Sequence, residues 1–322
     1  MRAAIVERFG EHPRITDLDE PASAPGMALI RVLAAAVNPL DVAIAAGRHY
    51  APAPALPYVP GSEGVGTVVR SGSFPQGTRV RFESRPGGGG SGALAEVTLA
   101  AEETLVELPA DAGDEVAAAV GIAGLAAWLA LERRARLREG ETVLVLGASG
   151  AVGQFAVQVA RLLGAGRVVA AARDEAGLRR ARELGADATV VLDERPTDEL
   201  ADGFREAAGG DVDVVVDPLW GAPAVAALDA LGPGGRLVNL GQSAGIEATF
   251  SSASVRGKMR SILGHANQLT PPEERRDAYR TLLDHAVAGR MRVEVEVLPL
   301  EEISRAWETQ ASSPHRKIVV RP

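Results

Sequence analysis

The sequence predicts an α/β protein in two parts: a doubly wound parallel sheet covered by helices on both faces, and a mostly β region before it. Three observations carry this. From Thr142 onward, continuous apolar strands alternate with helical patterns, as buried parallel strands do. Over the first hundred residues, short β-like runs are instead broken by glycine and proline. The length of 322 residues suffices for two hydrophobic cores at roughly 100–200 residues per domain.

In chain order, residues 28–32, 66–69, 79–82 and 95–99 read as strands. Pro52, Pro54, Pro57 and Pro60 mark a loop, and so does the run Gly87 to Gly90 before Ser91 and Gly92. That run is not read as a phosphate cradle, because residues 93–97 after it resemble a strand and supply no helix N-terminus. The longest uncharged run, 116–131, has 16 residues, short of the about 18 of a membrane span, and reads as a buried helix. The parallel sheet is expected from strands at 142–146, 168–172, 189–192, 212–216 and 237–240, with a sixth at 261–264. Gly164 and Gly185 end two of the intervening helical stretches. After Gly257 come a helix over 273–288, a strand over 292–297, a helix over 300–310 and a terminal strand over 317–320. This tail is too short for a third domain and is expected to pack on the first part.

Composition excludes several chemistries. There is no cysteine, so disulfides, thiolate nucleophiles and cysteine-ligated zinc are ruled out. A net charge of -8 disfavours nucleic acid and anionic membranes as partners. Glu7 and Arg8 interrupt any signal-peptide core, so a cytoplasmic location is expected. Aromatics are only 4% of the chain, so the cores must be built mainly from Val, Leu and Ala.

The chemical signal lies where strand 142–146 runs into Gly147-Ala148-Ser149-Gly150-Ala151-Val152-Gly153, followed by a helix with Val152, Phe155, Ala156, Val159 and Leu163 at core spacing. A strand, a glycine turn and a helix start are what a dinucleotide pyrophosphate requires, since the turn brings main-chain N–H groups close and the helix adds its positive end. Ser149, Gly150, Ala151, Val152 and Gly153 are therefore the expected cofactor-binding residues, joined by Gly241 after the strand 237–240. At the end of the second strand, Ala172 stands where an acidic residue would bind a ribose hydroxyl, and Arg173 follows. This favours NADPH over NADH, although Asp174 would reverse the choice if the register shifted by two.

Several ordered motifs then identify a resemblance: Val37-Asn38-Pro39-Leu40-Asp41, Pro60-Gly61-Ser62-Glu63-Gly64-Val65-Gly66, Gly124-Leu125-Ala126-Ala127, the turn 147–153, Asp213 to Asp217, Gly235 to Val238, and Lys317-Ile318-Val319. Over essentially its whole length the chain resembles the zinc-independent quinone oxidoreductases of the medium-chain dehydrogenase/reductase superfamily. The resemblance implies a GroES-like catalytic domain split between residues 1–118 and 257–322, around a Rossmann domain at 119–256, with the substrate between them. It implies a homodimer through the edge of the Rossmann sheet near 261–264. It also places Asn38 and Tyr50 at the nicotinamide end, Asn38 orienting the acceptor or the nicotinamide amide and Tyr50 donating a hydrogen bond or a proton. Asp41 is read as a helix cap and Glu63 as a structural hydrogen-bond partner. No metal site is expected, since the spacing of His49, Glu63 and His265 does not indicate one.

Departures from the family pattern bear on the cofactor. Ala126 replaces a threonine, Gly177 a basic residue and Leu192 a tyrosine, which leaves Arg173, with Arg179 or Arg180, to hold a 2′-phosphate. Arg316 stands where a glycine is usual. The activity implied is NADPH-dependent hydride transfer to a quinone or activated enone, where hydrogen bonds rather than a Lewis acid stabilise the developing charge. Two other readings share the fold: an enoyl-thioester reductase of a polyketide or fatty-acid pathway, and a non-catalytic NADPH-binding redox sensor.

Overall fold

The structure, a computed structural model, describes residues 1–84 and 92–322; the glycine run 87–90 lies outside them. In chain order the strands are β1 (Arg2–Ile5), β2 (Arg14–Asp17), β3 (Met27–Val37), β4 (Glu63–Arg70), β5 (Arg79–Glu83), β6 (Val97–Ala101), β7 (Val106–Glu107), β8 (Thr142–Leu146), β9 (Arg167–Ala172), β10 (Ala188–Val191), β11 (Val212–Asp217), β12 (Leu231–Asn239), β13 (Ser261–Gly264), β14 (Val295–Pro299) and β15 (Lys317–Arg321). The helices are α1 (Pro39–Ala45), α2 (Asp114–Ala119), α3 (Ile122–Leu129), α4 (Ala151–Leu162), α5 (Glu175–Glu183), α6 (Thr197–Ala208), α7 (Gly221–Ala230), α8 (Ser252–Arg256), α9 (Pro272–Val287) and α10 (Ile303–Ala311). No helix among the described residues is long and apolar enough to cross a membrane.

Two compact units result, 1–122 with 272–322, and 123–271. In the first, a seven-stranded sheet runs β14-β15-β3-β4-β5-β7, with β6 also paired to β3. The C-terminal strand β15 lies antiparallel to β3, Ile318 opposite Val37, and parallel to β14. Arg316, in place of the usual glycine, donates to Glu296 at 2.7 Å and ties the start of β15 to β14. The core is small-residue and aliphatic, with Ile30, Val32, Phe82, Leu94 and Trp307 among its buried members.

In the second unit all six strands are parallel, in the order β10-β9-β8-β11-β12-β13. This doubly wound order reverses direction between β8 and β11, where such sheets bind ligands at their carboxyl ends. The unit runs to Pro271, beyond the 256 read from the sequence, because β13 pairs with β12 and keeps residues after 257 with the parallel sheet.

Two local expectations are corrected. Residues 93–95 do not open a strand; Ala93 and Leu94 instead donate to Gly61 and Pro60, and β6 starts only at Val97. The uncharged run 116–131 is buried, but it is not one helix. It forms the end of α2, then α3, then a wide π turn over Ala130–Arg134. The break falls at Gly121, where a Cβ would overlap the Glu63 carboxylate, and Ile122 N–H donates to Glu63 Oε2 at 2.6 Å.

Candidate functional site

The second unit builds the glycine turn from its strands. Gly147, at the end of β8, has a φ of +59°, a left-handed conformation that glycine adopts at little cost. Ala148 N–H donates to Ala171 at 3.0 Å, which ties the turn to β9. Gly150 then caps α4, and Gly150 N–H donates back to Gly147 at 3.0 Å. Gly153 lies against the turn, since a Cβ there would fall 2.6 Å from Ala148 Cα. Gln154 Nε2 holds the Ser149 carbonyl at 2.8 Å. Ala151, Val152 and Gly153 occupy the first three helical positions, whose N–H groups have no carbonyl one turn back. A dinucleotide pyrophosphate needs this cradle of amides at a positive helix end, and the residues fit it.

The neighbouring strand ends frame the turn. Asp217, fully buried at the end of β11, accepts Leu219 N–H at 2.9 Å and Trp220 N–H at 2.8 Å, while Asn239 Nδ2 donates to its Oδ2 at 3.1 Å. Burial pushes the Asp217 carboxyl above its ordinary range, against these hydrogen bonds. Asn239 Nδ2 also donates to Gly241 O at 2.7 Å, and Gly241 approaches Pro218 too closely to admit a side chain. Gly241 is thus fixed at the same end of the sheet as Gly147. Gly241 is among the residues expected from the sequence; the Asp217–Asn239 pair that holds it is not, although Asp217 ends the motif Asp213 to Asp217.

At the end of β9, Arg173 is exposed and makes no ion pair with the described residues. Asp174, the alternative reader of the ribose, is the N-cap of α5 and accepts Gly177 N–H at 2.5 Å. Gly177 packs against Ser149 so closely that a Cβ would displace it, which accounts for the missing basic residue. Arg179 pairs with Glu175 at 3.6 Å, and Arg180 with Glu183 at 3.1 Å, so both are already engaged along α5.

In the first unit, Asn38 is held by its own neighbours. It is 1% exposed, its Nδ2 donates to Glu63 Oε1 at 3.0 Å, and its Oδ1 receives Lys317 Nζ at 2.5 Å. Its Nδ2 also reaches Ala36 O at 3.4 Å, so the amide is engaged within the protein at both ends. Asp41, at the third position of α1, accepts Asn38 N–H at 2.8 Å and Ser62 Oγ at 2.6 Å, which fulfils a capping role. Burial raises its carboxyl to about 6 against these hydrogen bonds. Glu63 additionally takes Arg81 Nη2 at 3.3 Å, and Glu83 joins Arg81 to Arg275 at 2.8 and 3.1 Å. Burial alone would raise the Glu83 carboxyl, but Arg81 and Arg275 hold it below the usual range. Arg81 also lies 5.0 Å from the Tyr279 ring, and Tyr279 donates to Ala117 O at 2.8 Å. Arg81, Arg275 and Tyr279 carry no sequence signal for this network, because its members are up to 279 residues apart. Tyr50 is 72% exposed in the loop after α1, its ring 4.3 Å from that of His49.

Residues 24–110 match the family described as alcohol dehydrogenase GroES-like domain, and 151–286 that described as zinc-binding dehydrogenase. The quinone oxidoreductase of Sus scrofa is 33% identical over 318 residues, covering 96% of this chain and 93% of that protein. The quinone oxidoreductase from Thermus thermophilus, whose complex with NADPH has also been solved, is 30% identical, with a TM-score of 0.82 and both chains covered in full. A phenolphthiocerol/phthiocerol polyketide synthase protein of Mycobacterium tuberculosis is 32% identical over 302 residues, 90% of this chain but 13% of that protein. With both halves of its fold matched by family models and a relative 33% identical over 96% of its length, the chain belongs to the quinone oxidoreductases of the medium-chain dehydrogenase/reductase superfamily.

Proposed function

We propose that the protein is an NADPH-dependent reductase that delivers hydride to a quinone or an activated enone without zinc. The observation that carries this reading is the cradle at Gly147 to Gly153, where a left-handed glycine and the close approach of Gly153 to the turn set main-chain amides at the N-terminus of α4, while Gly150 leaves its approach without a side chain. NADPH, when bound, supplies the hydride. Ser149, Gly150, Ala151, Val152 and Gly153 would hold the pyrophosphate, Gly241 the nicotinamide half, and Arg173 the 2′-phosphate, with Arg179 in reach only if it leaves Glu175. Tyr50 would donate to the acceptor, and Asn38 would act through Glu63 and Lys317 rather than on substrate.

Two features support an unassisted hydride transfer. The chain has no cysteine, and among the described residues no three His, Asp or Glu side chains come together as a metal set. An acceptor that is already electrophilic needs only hydrogen bonds to its developing anion. The test is oxidation of NADPH by purified protein with small benzoquinones and short enones; a broad panel without turnover overturns the reading. The match to a polyketide synthase favours a second reading, an enoyl-thioester reductase. Faster turnover of a crotonyl thioester than of benzoquinone would select it, and tight NADPH binding without any turnover would select a non-catalytic sensor. We further propose a homodimer paired through β13, the edge of the parallel sheet.

A further inference from the structure

Pro218, Leu219 and Trp220 link β11 to α7, and this short loop touches both segments proposed to hold the cofactor. On one side Pro218 and Leu219 lie against Gly147, so closely that a Cβ there would come within 3.3 and 3.0 Å of their side chains. On the other, Gly241 packs against the Pro218 main chain, Ser243 Oγ donates to Pro218 O at 3.2 Å, and Ala244 N–H donates to Leu219 O at 2.8 Å. The loop is thus a spacer whose position sets the separation of Gly147 from Gly241.

The spacer is held at a cost. Trp220 has φ +59° and ψ −165°, a backbone region that only glycine enters readily, and a residue with a side chain persists there only when its surroundings fix it. Asp217 fixes it from below: Oδ1 accepts both Leu219 N–H and Trp220 N–H, while Oδ2 is held by Asn239. The Trp220 ring is anchored as well, edge-on to Phe250 with 5.3 Å between centroids and packed on the core of the parallel sheet. Asp217 is fully buried and forms no ion pair with the described residues, and a buried carboxylate without a counter-ion is costly. A strained tryptophan and an uncompensated carboxylate both weigh against stability. Both meet where the strand order reverses, the place at which doubly wound sheets bind ligands.

We propose that Asp217 is the positioning residue of the cofactor site, holding Trp220 in its left-handed conformation so that the spacer keeps Gly147 and Gly241 at the separation that the dinucleotide spans. The proposal rests on the NADPH reading and adds to it a residue that acts only through the loop. The two segments serve parts common to NADPH and NADH, so loss of the device weakens both nucleotides alike, unlike loss of a 2′-phosphate contact. Its mark is that the carboxylate matters only while residue 220 is strained, because a glycine at that position needs no holding.

The experiment measures NADPH and NADH affinity by nucleotide fluorescence for the parent, Asp217→Ala, and Asp217→Ala combined with Trp220→Gly. Asp217→Ala is expected to raise both dissociation constants about tenfold to a hundredfold, and adding Trp220→Gly to recover most of that loss. A carboxylate that serves only the fold predicts the opposite, since removing a packed ring as well deepens the damage. If Asp217→Ala binds both nucleotides as the parent does, or the double variant binds no tighter than Asp217→Ala, the proposal is overturned. Should Asp217→Ala fail to fold, the double variant is still expected to fold and to bind NADPH within about threefold of the parent. Trp220→Gly is then also expected to unfold at higher urea than Trp220→Ala, which loses the same ring but keeps the strain; failure of either expectation overturns the proposal. A parent that binds neither nucleotide overturns the cofactor reading and this proposal together.

Discussion

The Glu63 carboxylate receives the main-chain N–H of Ile122 at 2.6 Å, and this bond, with Gly121 beside it, divides α2 from α3. The contact needs the absence of a side chain at 121. Gly121→Ala would drive a methyl group into a buried carboxylate that also serves Asn38 and Arg81. The expected cost is about 1–3 kcal/mol from overpacking, more if the Ile122 bond is lost. Urea denaturation of the parent and variant measures it, and equal midpoints would show that the site gives way freely.

The close approach of Gly153 to the turn makes a second prediction. Gly153→Ala should push α4 away from Ala148 and withdraw the amides from the pyrophosphate. NADPH binding, followed by nucleotide fluorescence, is expected to weaken by at least about tenfold, the equivalent of one lost charge-assisted hydrogen bond. Undiminished affinity in a folded variant would remove the phosphate role from this turn.

How much of the molecule is legible in its sequence differs between the units. The parallel sheet announces itself because strands buried on both faces, such as Val143-Leu144-Val145 and Val214-Val215-Val216, must be continuously apolar. The glycine turn is likewise written in consecutive residues. The network around Glu63 is not, since Asn38, Glu63, Arg81, Arg275 and Lys317 meet only after β3, β4, β5 and β15 have paired and α9 has docked. A buried Arg81 and an exposed arginine look the same in a sequence. The same limit applies to Asn38, whose motif is clear while its partners are not.

Asp41 gives the network a pH signature. Its carboxyl stands at about 6 when folded against 3.8 ordinarily, so between these values the folded protein binds the extra proton. The folded state is therefore favoured by this group at pH 4, and that contribution is lost as pH rises through 6. In Asp41→Asn the group cannot titrate. The stability of the parent minus that of Asp41→Asn should fall by on the order of 2 kcal/mol between pH 4 and pH 7. A difference that does not change with pH would mean that the carboxylate stays ionised in its pocket.

Arg173 carries the proposed choice of cofactor. It follows β9 directly, while Arg179 and Arg180 are drawn to Glu175 and Glu183. Arg173→Ala should weaken NADPH by about tenfold, as for one lost hydrogen bond to a charged group, and leave NADH unaltered. Titrating both nucleotides separates this from a general defect. Equal losses would point to a damaged strand end, and no loss for NADPH would transfer the task elsewhere.

The edge strand makes the last prediction. Among the described residues β13 has a partner only on the β12 side, and Met259 just before it and Ile262 within it are 77% and 36% exposed. An unprotected edge flanked by apolar side chains is a template for pairing, and soluble proteins that remain monomeric commonly place charge there. β13 itself, Ser261–Gly264, contains none. Its outward Ile262 is the natural place to add one, because a lysine there would meet its own copy across a twofold axis and repel it. The parent is expected to sediment as a dimer, and Ile262→Lys as a folded monomer with its NADPH affinity retained, since the substitution lies on the strand edge and not at the glycine turn. A parent that sediments as a monomer at micromolar concentration would overturn the assignment, and a dimer that survives Ile262→Lys would place its interface on another face.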